Sequence, residues 1–231
     1  MTMILNKDQI QDLYAFTRKH FVEHYDLQTE LVDHLANDIE AIWQEQPHLS
    51  FEQARGISFE KFGIYGFMEV VEKRQKAMNK RYLKYLWKEF KLWLTIPKIV
   101  TTVVIFLLFY MAFSLRISDY LFVAFYAILI VWVIIMTAKL NRQFRRRKEI
   151  SDKKWLLEEI IFKQAGGISL ILLSQVYTVT NFSEKLFDNQ WFIIISALVF
   201  TMVSIMVYIS FQLLPNKAET LLKETYPEFT L

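Results

Sequence analysis

The 231-residue chain contains no cysteine, which excludes disulfides, thiol catalysis and cysteine-ligated metals without assigning a compartment. Histidine is almost as scarce. The four present, His20, His24, His34 and His48, place any imidazole chemistry in the N-terminal quarter. With only five glycines and four prolines, few positions force a helix to stop. Charge is missing altogether from residues 99–115, 120–138, 164–183 and 189–216, which hold no Asp, Glu, Lys, Arg or His. Ionisable groups are costly inside a bilayer and are kept where ion-coupled transport or intramembrane hydrolysis needs them, so their absence argues against both activities.

What is present is apolar surface. The chain is 54% hydrophobic and 16% aromatic, too apolar for an ordinary soluble domain. Each uncharged stretch is near or above the span of about 17–25 residues that crosses a bilayer. The sequence therefore predicts an all-α membrane protein: a small cytosolic helical domain, a long amphipathic juxtamembrane helix and four transmembrane helices. Lys and Arg set the orientation. Seventeen of them flank the stretches on the side of the N-terminus, the central loop and the C-terminus, whereas the two remaining connections hold only Arg116 and Lys185. Both termini and the central loop are thus expected in the cytoplasm of a bacterium, with the chain multi-pass in the inner membrane. Lys7, Asp8, Asp12, Arg18 and Lys19 interrupt any apolar core of a secretory signal, so the first 95 residues are expected to remain cytosolic.

The expected boundaries are a three-helix module over 1–65, a linker helix over 66–96, and a transmembrane domain over 97–216 with a basic hairpin at 139–163; a cytoplasmic tail covers 217–231. In the module, Asn6 with Gln9 and Ser50 with Gln53 have the spacing of capping boxes. Ile10, Leu13, Tyr14, Thr17, Phe21 and His24 share one face of the first helix. Leu27, Leu31, Leu35, Ile39 and Ile42 share one face of the second, with Asp26 as the expected cap and Pro47 beyond its end. Gly63 is the expected left-handed stop of the third, with Ile64 folding back on its last turn. Three short helices make a thin core, so the module is expected to draw on the following helix, a second copy or a partner.

The linker ends in "RYLKYLWKEFKLWL", residues 81–94, where aromatic rings suited to headgroup depth alternate with lysines that can reach phosphates. Lys84, Trp87, Lys88, Lys91 and Trp93 are its candidate membrane-surface residues, with membrane lipids as their partners. Arg145, Arg146 and Arg147 form a second basic cluster, read mainly as the ordinary flank of a cytoplasmic loop. No DNA-reading motif accompanies them, so no nucleic acid partner is expected. The second stretch runs into this cluster without Gly or Pro, which predicts a helix projecting past the membrane, with Ser151 or Asp152 capping the returning one. Gln175 stands alone as a large polar residue in the middle of the third stretch.

Glu30, His34 and Asp38 lie four apart and so share one stripe of a helix. A divalent metal would need further ligands from a second helix, such as His20 or His24. The stripe borders an apolar face, where polar side chains ordinarily serve packing, so neither a metal nor a cofactor nor a catalytic residue is expected. The order Glu30-Leu31, His34-Leu35, Ser50-Phe51-Glu52-Gln53-Ala54 and Phe62-Gly63 resembles the HAAS-type signalling-domain membrane proteins, over roughly residues 10–75. Those proteins often accompany PadR-type regulators. The resemblance implies a sensory or regulatory membrane protein, not an enzyme, whose helical module touches a cytosolic regulator or a membrane-complex subunit. Glu30, His34, Asp38, Phe62 and Gly63 are then the docking candidates, with room for a homo-oligomer. The alternative is a metal- or lipid-dependent membrane enzyme or transporter that uses the histidine-containing helices.

Overall fold

Asn6 opens the first helix as its spacing predicts. Its side chain accepts from the Gln9 N–H at 2.8 Å while the Gln9 side chain accepts from the Asn6 N–H at 2.9 Å, which satisfies two donors the helix leaves orphaned. Helix α1 is Lys7–Lys19, and the same device at Ser50 and Gln53 opens α3, Phe51–Glu60. Between them runs α2, Tyr25–Glu45, which buries Leu27, Leu31, Leu35 and Ile39 completely and Ile42 nearly so. At about 1.5–3 kcal/mol for each such side chain, this stripe is the module's principal apolar driving force. The computed structural model describes residues 4–151, 153–181 and 186–229, the side chains of 164–166 excepted. Every regular element among them is helical.

Three local expectations need correction. Asp26 does not cap α2: His24 holds the cap position without a side-chain bond, and Asp26 lies inside the first turn. Phe21 does not join the buried face of α1. The helix stops at Lys19, and the Phe21 and Val22 N–H groups return to the carbonyls of Arg18 and Thr17. That pairing is a Schellman stop, and it holds Phe21 left-handed at φ 65° with the residue 82% exposed. Finally, Gly63 is left-handed at φ 73°, but Ile64 is fully exposed instead of folding back. A second glycine is needed close by, since Gly66 has φ 53° and a Cβ there would meet the Phe59 ring at 3.0 Å.

The thin core is supplemented from within the chain. Helix α4, Met68–Trp93, begins in the first unit, which comprises Met1–Lys80 together with Ser151–Leu157. The second unit comprises Arg81–Ile150 with Glu158–Leu231. It holds the rest of α4, α5 (Lys98–Phe113), α6 (Ser118–Ile150), nearly all of α7 (Leu156–Ser174), α8 (Val176–Thr180) and α9 (Gln190–Tyr208). Through a π-helical turn at Ile209–Leu213, α9 continues to Asn216, and a short helix Ala218–Thr225 follows.

Two of these helices, Ser118–Ile150 and Gln190–Asn216, are long and apolar enough to cross a membrane. A third candidate exists if α4 and α5, bent by 82° at their break, are taken as one span. The break is closed by Thr102, whose hydroxyl donates to the Trp93 carbonyl at 2.8 Å. By itself α5 has 16 residues, about 24 Å, against a hydrocarbon core of about 30 Å. The third uncharged stretch is not one helix among the described residues: α7 ends at Ser174 and α8 begins after Gln175, while positions 182–183 lie outside the description. Only 17% of the most apolar window of α6 is buried, and 39% of that in Gln190–Asn216. Faces so apolar and so little covered by protein are matched to lipid, not to a protein core.

Inside the second unit, Phe113, Phe122, Phe187 and Phe200 meet at tilted or edge-on angles with centroids 5.0–6.3 Å apart, around the fully buried Ala197. Lys217 pairs with the buried Glu89 of α4 at 2.5 Å, and Leu222, Tyr226 and Phe229 are buried, so residues after 216 pack against their own unit.

Candidate functional site

The helix stripe resolves into ion pairs and a cleft. Glu30 faces Arg74 of α4 at 3.5 Å, and Asp38 faces Lys61, just after α3, at 2.6 Å. Both acids therefore tie α2 to its neighbours within the module. Between them, Leu31, His34, Asp38, Ser58, Lys61, Phe62 and Val70 line a cleft of about 300 Å³. His34 is exposed and makes neither an ion pair nor a hydrogen bond with another described residue. Burial would raise the Asp38 pKa, but the Lys61 hydrogen bond and charge outweigh it and hold the carboxyl below its ordinary value. The Ser58 hydroxyl is buried and makes no hydrogen bond of ordinary geometry, yet it lies close enough to Asp38 to favour the anion further.

Of the five docking candidates, His34, Asp38 and Phe62 share this cleft, Glu30 lies one turn away, and Gly63 turns the chain out of α3 toward the exposed Ile64, Tyr65 and Met68. Phe62 is half-buried, its ring edge-on to Phe67 at 4.9 Å. Lys61, Val70 and Arg74 escaped sequence reasoning. The acids that pair with Lys61 and Arg74 lie 23 and 44 residues away, and neither spacing nor composition marks a pair of that kind.

The remaining histidines serve elsewhere. His20 packs against Phe16 and Phe59, each 4.4 Å between centroids, and Phe67 lies 5.9 Å away. Desolvation, with Lys19 and Arg55 nearby, lowers its pKa. Among the described residues no three His, Asp or Glu side chains converge closely enough to hold a metal ion.

A second feature joins the α1–α2 turn to residues 153–156. The Tyr25 N–H donates to the Lys154 carbonyl at 2.7 Å, and the Leu156 N–H donates to Asp26 Oδ1 at 3.2 Å. Lys154 pairs with Glu23 at 2.7 Å, Lys153 sits 4.2 Å above the Tyr25 ring, and Trp155 meets that ring edge-on at 5.4 Å. The expected caps of the returning helix fare differently. Ser151 accepts from the Lys153 N–H instead, and Asp152 lies outside the described residues.

In the second unit, Lys84, Trp87, Lys88 and Lys91 are exposed along one face of α4, with the Lys91 ammonium 5.7 Å from the Trp87 ring. Trp93 is half-buried against Tyr208. Arg145 and Arg146 are exposed, but Arg147 turns inward: it pairs with Glu158 at 2.6 Å and Glu219 at 3.4 Å and covers the Phe162 ring.

Comparison with protein-family models, with characterised proteins and with solved structures finds no match for this chain.

Proposed function

We propose that this chain is a non-enzymatic regulatory or sensory adaptor of the bacterial inner membrane, or an accessory subunit of a membrane complex, whose N-terminal module docks a protein partner at the α2–α3–α4 cleft. The observation that carries the reading is the convergence of His34, Asp38 and Phe62 on one cleft, beside the exposed Ile64, Tyr65 and Met68. An apolar floor of Leu31, Phe62 and Val70 with a charged rim suits the insertion of one apolar side chain from a partner helix. The resemblance of residues 10–75 to HAAS-type modules supports the same assignment. Within the membrane we place four crossings, through α5, α6, α7–α8 and α9, with both termini and the central loop cytoplasmic, because Lys and Arg concentrate on that side.

The reading is tested by gentle-detergent purification from native membranes and mass spectrometry of co-purifying chains. A stoichiometric companion retained by the wild type and by Arg145→Gln/Arg146→Gln, but lost from His34→Glu/Val70→Glu of unchanged melting temperature, is the expected result. A chain without a companion, or one whose companion ignores the cleft substitutions, overturns it.

A further inference from the structure

A separate cleft of about 750 Å³ lies in the first unit beside the α1–α2 turn, lined by Gln11, Tyr14, Arg18, Tyr25, Lys153 and Lys154 among others. Glu23 is the only acid among its described lining residues, and Lys154 already neutralises it at 2.7 Å. Two cations remain. Among the described residues Arg18 uses only Nε, on the Tyr14 carbonyl, which leaves both terminal guanidinium nitrogens with open donors. Lys153 has no hydrogen-bond partner for its ammonium among the described residues, and the ammonium rests over the Tyr25 ring. That ring is parallel to Tyr14, 6.1 Å away, so the two open cations and two aromatic faces belong to one small region.

We infer that this cleft binds a phosphate-bearing anion. A phosphomonoester carries about −1.5 to −2 charges near neutral pH and three strong acceptor oxygens, which matches two open cations better than a single carboxylate does. Inorganic phosphate alone would leave most of the cleft empty. The volume falls in the range of roughly 300–1,000 Å³ found for organic ligands, and the tyrosines give a planar substituent a surface to lie on. The site consists of one face of α1, the α1–α2 turn and residues 153–154, so an anion held by Arg18 and Lys153 bridges α1 and the 153–154 segment and tightens their attachment. It does not depend on protein docking at the α2–α3–α4 cleft, which shares no residue with it.

The test uses the full chain in phosphatidylcholine nanodiscs, titrated calorimetrically with inorganic phosphate and with AMP. A parallel arm adds phosphatidic acid to the discs and reads amide exchange at Tyr25 and Leu156. Saturable AMP binding, or slower exchange with phosphatidic acid, is expected. Arg18→Gln/Lys153→Gln should weaken the response at least about tenfold; Arg18→Lys/Lys153→Arg should restore most of it, and Arg145→Gln/Arg146→Gln should leave it intact. A response to AMP alone assigns a soluble organic phosphate, and one to phosphatidic acid alone assigns a lipid headgroup. If the double substitution unfolds the module, the exposed Lys153→Gln alone replaces it, with the same loss expected. No saturable response to any probe in the millimolar range overturns the inference, as does a response that Arg18 and Lys153 substitutions leave unchanged.

Discussion

Asp26 Oδ1 accepts the Leu156 N–H at 3.2 Å, so a residue in the first turn of α2 caps a helix that begins 130 positions later. The first N–H groups of any helix lack intrahelical partners, and the acid supplies one across the chain. Asp26→Ala should therefore cost about 1–2 kcal/mol, since the buried donor loses its acceptor. Asp26→Asn, which keeps an acceptor, should cost less. Hydrogen exchange localises the effect: the Leu156 and Tyr25 amides should exchange faster in Asp26→Ala, while those in the middle of α2 hold.

What the sequence revealed follows the range of each interaction. Capping boxes at Asn6 and Ser50, the buried stripe of α2 and the left-handed Gly63 are decided within a few residues, and all three were readable. Asp26 looked like a cap because its type and place fit one, but its acceptor was committed to a distant strand of chain. Lys61 and Arg74 were invisible as partners of Asp38 and Glu30 for the same reason. The second and fourth uncharged stretches became long helices, whereas the third broke at Gln175, because uniform hydropathy says that a segment is apolar and not that its helix is continuous.

Phe21 occupies a position where glycine or asparagine normally ends a helix, and the left-handed conformation costs an ordinary residue about 1–2 kcal/mol. The residue is 82% exposed and so recovers little by burial. Phe21→Asn should raise stability by about 0.5–1 kcal/mol, read as a higher thermal midpoint. A lower midpoint would mean that the ring contributes to the folded state despite its exposure.

His20 gives the module a defined response to acid. Its folded pKa lies below the ordinary value of 6.5, chiefly from desolvation among Phe16, Phe59 and Phe67, then from Lys19 and Arg55. The unfolded chain consequently binds the proton more readily. Stability is fully present above the unfolded pKa and is lost as pH falls through the folded one. His20→Phe should flatten this part of a stability–pH curve while preserving stability at neutral pH. The Asp38–Lys61 pair acts in a lower window with the same sign, its stabilisation full above the ordinary carboxylate pKa and lost as acid titrates Asp38. Both groups are partly exposed, so Lys61→Met should cost less than about 1 kcal/mol at neutral pH.

Arg147 differs from its neighbours in what it holds. Glu158 is nearly buried beside it, and removing the guanidinium leaves that carboxylate without its cation. Arg147→Gln should cost about 2–4 kcal/mol, toward the lower end because Glu219 and part of Arg147 remain in contact with solvent. Arg145→Gln and Arg146→Gln, both at exposed positions, should stay within about 0.5 kcal/mol of the wild type. Equal losses at all three would place the cluster's role in its summed charge instead of in one paired residue.

The absence of cysteine allows the proposed topology to be read without background labelling. Arg116 stands in the connection between α5 and α6, and Arg146 stands on the basic extension of α6, which runs about 18 Å past the apolar segment ending at Ala138. If α6 crosses the bilayer in the orientation that the charge asymmetry demands, Arg116→Cys reacts with a membrane-impermeant maleimide in intact cells and Arg146→Cys reacts only after permeabilisation. The same single helix separates the two positions, so both results report on one crossing. Labelling of Arg146→Cys from outside, with Arg116→Cys protected, would invert the topology and move both the module and the hairpin away from any cytosolic partner. Equal protection of both would mean that the α5–α6 corner stays on the cytoplasmic side, which would reduce the four proposed crossings and make the 82° bend between α4 and α5 part of a re-entrant segment.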